Sequence, residues 1–189
     1  MPKLLLILTI AATSGSMLFN FSTSSNYELL SSKFVEISQD PAQIGFYLAM
    51  VYVLASLTQL LIGHLLDKVA LKTLYLCVIG VQLAALLMAN NTQGWPFYLA
   101  QLLFMAAIFG SIPFTDAMVV RFVDDAMRSR VSGMRLAVAY GASSMAVWLI
   151  GPIVKVAGFS TLLWVMAVTS FITLIIVSQL PHTPTQADA

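Results

Sequence analysis

The chain has 189 residues, 59% of them hydrophobic and 9% charged, with a mean hydropathy of +0.90. A soluble domain carries roughly a quarter charged residues, so this composition excludes a soluble globular protein and points to one embedded in a lipid bilayer. A net charge of +1, with no basic tract interleaved with aromatics, gives no sign of a nucleic-acid partner.

A helix needs roughly 20 apolar residues to cross the hydrocarbon of a bilayer. By that measure the chain offers six spans, near 4–26, 43–65, 73–90, 96–120, 132–154 and 160–180. The expected fold is therefore all-α: a transmembrane domain over 1–181 and a polar tail over 182–189. The opening MPKLLLILTIAATSGS has the marks of a signal peptide, with Lys3, a short apolar core and small residues after it. Apolar character resumes at Met17-Leu18-Phe19, however, and carries the segment to spanning length.

In that first span Thr9, Thr13, Ser16, Asn20, Ser24 and Tyr27 recur at steps of three or four, which places them on one helix face roughly 80° wide. Glu28 closes its outer end as a rim acid. After the polar break SSKFVEISQDPAQ, the second span repeats the pattern with Tyr52, Ser56, Gln59 and Gly63. Two polar stripes on consecutive helices imply a wet cavity between helices. Its candidate lining is Thr13, Ser16, Asn20, Ser24, Tyr27, Tyr52, Ser56 and Gln59. The other account is that the hydroxyls satisfy their own helix carbonyls and join helices together.

The stretch GHLLDKVALK, Gly63 to Lys72, gathers Asp67, Lys68 and Lys72 between the second and third spans. His64 beside Asp67 is an incomplete ligand set, so no metal is expected, nor any other cofactor. Cys77 lies inside an apolar run and reads as inert packing. NNTQGWP brings turn residues and a Trp suited to the headgroup level before the fourth span. Within that span Pro113 is expected to kink the helix. Asp116 lies about one and a half turns before Arg121 and reads either as a coupling or gating carboxylate or as a rim acid paired with a neighbouring Arg or Lys.

RFVDDAMRSR, the most charged segment, reads as the next loop. In the fifth span Gly133, Ala137 and Gly141, extended by Ser144, follow a small-xxx-small rhythm suited to close helix packing. Gly151-Pro152 is expected to kink or break that span. The chain has no Ser-His arrangement, no His-Glu-x-x-His and no phosphate-cradling glycines, so an enzyme is not expected.

Orientation follows from the basic residues. With the amino terminus in the cytoplasm, Lys3, Lys68, Lys72, Arg121, Arg128, Arg130 and Arg135 fall inside or at the inner rim, and only Lys33 and Lys155 fall outside. Six spans then return the carboxyl terminus to the cytoplasm, as expected for a multi-pass protein of the plasma (inner) membrane.

Gly63, Leu65, Asp67, Lys68 and Lys72 match the G-x-L-x-D-[RK]-x-G-[RK]-[RK] loop between the second and third helices of major facilitator superfamily transporters, which the chain resembles. Ala70 and Leu71 depart from that pattern. The segment Arg128 to Arg135 is similar to the basic loop entering the fifth or eleventh helix of the superfamily, with Arg121 just before it. The degenerate loop, and a fourth span without an early arginine, make the chain most like a carboxyl-terminal half. The resemblance implies a six-helix half bundle of two three-helix inverted repeats. It further implies secondary active transport of a small solute by alternating access, with a second copy or a separate second half as partner. It makes Gly63, Asp67, Lys68 and Lys72 a gating loop, with Asp67 accepting hydrogen bonds in one arrangement of the bundle only. The alternative is a non-transporting membrane subunit, or a truncated half that only packs against a partner.

Overall fold

The protein is seen here as a computed structural model, which describes residues 2–180 and the side chains of residues 6–180. The Lys3 side chain and the tail at 182–189 lie outside the described residues. Five helices follow one another: α1 (Pro2–Lys33), α2 (Pro41–Leu66), α3 (Leu71–Asn91), α4 (Gly94–Phe122) and α5 (Asp125–Ser178). All five are long and apolar enough to cross a membrane.

The first four helices meet the expected spans, but with longer ends and shorter breaks. Helix α1 continues through Ser31-Ser32 to Lys33, and α2 starts at Pro41, with the Asp40 carboxylate accepting from the Ala42 N–H at 3.0 Å. That is an ordinary N-cap with proline in the first turn. Only Thr92 and Gln93 separate α3 from α4. The expected loop RFVDDAMRSR shrinks to Val123-Asp124, so Arg128 and Arg130 stand on the first turns of α5.

At the end of the chain the two expected spans meet without a loop, as two helices joined across a kink into one 54-residue stretch of helix. At 1.5 Å per residue such a helix would run about 80 Å if straight, far more than a bilayer is thick. It is not straight, because Gly158 has φ 78 and ψ 173, a conformation open in practice to glycine alone. Its two ends confirm the reversal. Arg128 of the first turns bonds the Val120 carbonyl at the end of α4, whereas Leu180, just past the last turn, bonds Lys72 at the start of α3. The opposite end of the bundle holds the reversal itself: the Asn90 amide, with its nitrogen toward Ser160, donates to that carbonyl at 3.2 Å and accepts from the Trp164 indole at 2.9 Å. Gly151-Pro152 and Pro113 remain within helix, so the break falls at the later glycine and not at the prolines.

Helix α1 packs mainly on α5 and α4, and α2 mainly on α4, while α1 and α2 meet little. Between apolar helices in lipid, close packing replaces hydrophobic drive, and one glycine provides it: a Cβ on Gly110 of α4 would come within 3.1 Å of Ile62 on α2. Two buried clusters fill the interior. One, toward the α2–α3 turn, includes Leu66, Leu71, Tyr75, Phe114 and Met118, with Tyr75 stacked on Phe114 at 4.4 Å. The other contains Phe21, Phe34, Phe97 and Phe104. At its outer edge Phe34, Tyr47, Trp95 and Tyr98 form a cluster of edge-on and tilted rings, and the Tyr98 hydroxyl donates to the Tyr47 carbonyl at 2.9 Å. Amphipathic rings of this kind suit a membrane–water interface.

Candidate functional site

Helices α1, α3, α4 and α5 wall a cavity of about 400 Å³. Helix α1 contributes Ala12, Gly15, Ser16 and Phe19; α3 contributes Tyr75. From α4 come Ser111, Ile112, Thr115 and Asp116, and from α5 Arg135, Leu136 and Ala139. The α4 residues enter together because they fill one turn and a half on a single face. Arg135 reaches them because α5 turns back beside α4 after the two-residue break at Val123-Asp124.

Most donors of this wall are already used; among the described residues the Tyr75 hydroxyl and one arm of Arg135 are not. Ser111 donates its hydroxyl proton to the Ile108 carbonyl at 2.7 Å, and Thr115 to that of Ile112 at 3.0 Å. Ser16 and Ser143 share a hydrogen bond of 2.5 Å between α1 and α5. Arg135 Nη2 lies 2.5 Å from Asp116 Oδ1. The Arg135 side chain is only 9% exposed, against 69% for Asp116, and its Nη1 is buried with no hydrogen-bond partner among the described residues. The cavity therefore has a neutral ion pair at its edge, hydroxyl oxygens on its wall and one unpaired guanidinium arm.

Of the eight residues expected to line a cavity, Ser16 is on the wall of this one. Thr13 and Gln59 are half-buried, Ser24, Tyr27 and Ser56 are exposed, and Asn20 donates to the carbonyl of Ser16 at 2.9 Å. The stripes on α1 and α2 do not meet. Phe109 of α4 stands between them, 5.2 Å from the ring of Phe19 and 6.0 Å from that of Tyr52. Asp116 is at the cavity, and its partner is Arg135, a residue read from sequence only as part of a basic loop. The small residues Gly133, Ala137, Gly141 and Ser144 face outward, and a Cβ at either glycine would meet nothing within 4 Å. Cys77 is exposed on the surface of α3, not buried.

The turn between α2 and α3 is held by cations on helix ends. Arg121 Nη2 donates to the Leu66 carbonyl at 2.5 Å, and Lys72 Nζ to the Leu180 carbonyl at 2.7 Å. Arg128 Nη2 donates to Val120 at 2.9 Å and pairs with Asp125 at 2.7 Å. Each cation satisfies a carbonyl in or just past the last turn of a helix, near the negative end of its dipole. Gly63 lies within α2, Lys68 and Arg130 are exposed, and Asp67 is exposed with no ion pair among the described residues. Sequence reasoning also missed two buried amide bridges: Gln101 to Asn26 at 2.5 Å, and Gln82 to Ser170 at 2.7 Å. A lone amide inside an apolar run was the available signal, since it must find a partner in lipid.

The model of the Major Facilitator Superfamily matches residues 4–188 of the chain. Among solved structures, the fold is similar to the in meso crystal structure of the POT family transporter PepTSo, with a TM-score of 0.84 and 13% sequence identity. That likeness covers 98% of this chain and 39% of the other, so the chain spans well under half the length of that transporter. No curated protein matches it in sequence.

Proposed function

The chain belongs to the major facilitator superfamily and is a multi-pass membrane protein with a transporter's fold, and from that premise we propose that it acts as one half of a secondary transporter for a small solute. In this reading α5 crosses the membrane twice about Gly158, giving six crossings, two inverted three-helix units and both termini in the cytoplasm of a plasma (inner) membrane. The other half is a second copy of the chain or a separate partner. Alternating access comes from rocking the two halves about the bound solute.

The observation that carries the reading is the cavity itself. A wall of four helices holds a buried guanidinium with an open donor inside a bundle whose other buried polar side chains are uncharged. Ionisable groups at such depth are costly in lipid and are kept where they serve a pathway. Asp116, on the same wall, is placed to release and recapture Arg135 as a solute or proton arrives. Gly63, Asp67, Lys68 and Lys72 form the loop that changes partners between the two arrangements.

A second reading, a membrane subunit that packs without transporting, draws on the polar residues in the second half of α1. Asn20, Ser22, Thr23 and Ser25 all donate to carbonyls of their own helix, which is what hydroxyls do when no water reaches them. The mass of the purified chain in mild detergent, followed by solute uptake into vesicles holding it, separates the two. A dimer or two-half assembly that supports uptake establishes the transporter. A chain that assembles and never moves solute establishes the subunit.

A further inference from the structure

We infer that the cavity between α1, α3, α4 and α5 takes a small zwitterion, its carboxylate on Arg135 Nη1 and its ammonium against Asp116. The inference deepens the transport reading and rests on it for the direction in which the solute moves.

The donor comes first. Arg135 is nine-tenths buried, its Nη2 is spent on Asp116, and its Nη1 has no partner among the described residues while its side chain lines the cavity. A buried donor left unpaired carries its full desolvation cost, and a guanidinium arm is matched best by a carboxylate. A plain anion fits poorly, however. Arg135 and Asp116 sum to no charge, so an isolated carboxylate would set a second negative charge beside Asp116 with nothing to balance it.

The acceptors supply the balance. Ser111 and Thr115 give their protons to Ile108 and Ile112, so on the cavity wall they offer only oxygen lone pairs. Asp116 adds an exposed carboxylate two-thirds open to the surroundings, with 69% of its side chain accessible. An ammonium carries three donors and no acceptor, which is the complement of that surface. A plain cation would satisfy these oxygens but leave Nη1 unpaired. Only a molecule bearing both groups satisfies Nη1 and these oxygens together. The volume of about 400 Å³ sits at the low end of small-molecule sites and has ample room for a free amino acid.

The test uses the full chain purified in mild detergent, with three probes that differ by one group: alanine, propionate and ethylammonium. Alanine at millimolar concentration should raise the temperature of unfolding, and the other two at the same concentration should not. R135Q and D116N should each weaken the alanine effect at least about tenfold, the value of one buried charged hydrogen bond. Because either variant could misfold, the unaltered chain is also treated with phenylglyoxal and mapped by mass spectrometry. Alanine should slow modification of Arg135 and leave the exposed Arg130 unchanged. Equal protection by propionate would overturn the zwitterion, and no protection by any probe would overturn the site. Protection by alanine in a chain that moves no solute in vesicles would leave the site standing and remove the transport reading. Uptake of alanine unaffected by R135Q would do the reverse.

Discussion

The ammonium of Lys72, at the start of α3, donates to the carbonyl oxygen of Leu180, just past the end of α5, at 2.7 Å across 108 positions of sequence. Asp67, five residues earlier and in the same turn region, faces outward with no ion pair among the described residues. The loop therefore already holds one charge-assisted contact in the arrangement seen here, and it is made by the lysine.

Two substitutions in that loop should act in opposite directions. A charge-assisted hydrogen bond to a part-buried group contributes about 1 kcal/mol or more, so Lys72→Gln should shift the bundle away from this arrangement by roughly fivefold. If Asp67 gains its partner only in the other arrangement, Asp67→Asn should shift the balance back toward this one. The reading is the rate at which a polar thiol reagent labels Asn20→Cys in each background, with expression matched. Shifts of the same sign would remove Asp67 from any gating role.

The ends of the bundle should lie on opposite sides of the membrane. Lys68 and Asn91 are both exposed, at the two ends of α3. Lys68→Cys should react with an impermeant reagent only from the cytoplasm and Asn91→Cys only from outside. Labelling of both from one side would overturn the topology, whatever the number of crossings.

Much of this architecture was legible in the residues, because spanning length and apolar character are imposed by the bilayer and need no tertiary knowledge. The charged turn between α2 and α3 was legible too, since Asp67, Lys68 and Lys72 stand out from apolar surroundings. What sequence could not give was which polar face meets which. Thr13 and Gln59 lie on stripes of the right period, but Phe109 of α4 fills the space between α1 and α2. Arg135 looked like one more basic residue of a loop, because the break shrinks to two residues and turns that loop into the first turns of α5. The chain reversal falls between the two expected spans, at Gly158, and only the prolines were misjudged. Proline signals a lost hydrogen bond, yet a helix can carry Pro113 and Pro152 in lipid when neighbours make up the deficit, whereas the backbone of Gly158 cannot be helical at all.

Access to the cavity should follow its lining and not the helical stripe. Ser16 lines the cavity, whereas Ser22, on the same helix and only 1% exposed, is packed inside. Ser16→Cys should react with a small polar thiol reagent, and saturating amounts of a bound solute should slow it. Ser22→Cys should stay unreactive in the folded chain, and the lipid-facing Leu6→Cys should react with an apolar reagent only. Equal reactivity at Ser16 and Ser22 would mean that the interior is not divided in this way.

The amide bridge between Gln101 and Asn26 should show the modest strength of polar contacts within membranes. Both residues are buried, and the bond is 2.5 Å long, with Asn26 also placing its amide 3.8 Å from the Met105 sulfur. A double-mutant cycle with Asn26→Ala and Gln101→Ala should give a coupling of about 0.6 kcal/mol, and no more than about 1.7. The measurement is reversible unfolding in mixed micelles followed by circular dichroism. A coupling near zero would mean that each amide finds an equal partner when the other is removed.

Gly158 offers the sharpest test of the reversal in α5. A Cβ built at Gly158 meets nothing within 4 Å, and the same holds at Gly151, seven residues earlier in the same element. Neither site is crowded, so alanine at either position is a test of backbone conformation alone. Gly151 is helical, and there alanine should be neutral or should stabilise by up to about 1 kcal/mol. At Gly158 the φ of 78 and ψ of 173 fall where an L side chain clashes with its own backbone. Alanine there should cost about 1–3 kcal/mol, and the strain has a second outlet. The chain can relieve it by straightening α5 through the break, which would pull Leu180 away from Lys72 and Ser160 away from Asn90. Gly158→Ala should therefore lower unfolding stability in mixed micelles and also raise the reactivity of a cysteine placed at Ser178, while Gly151→Ala does neither. If the two alanines behave alike, the chain does not reverse at Gly158.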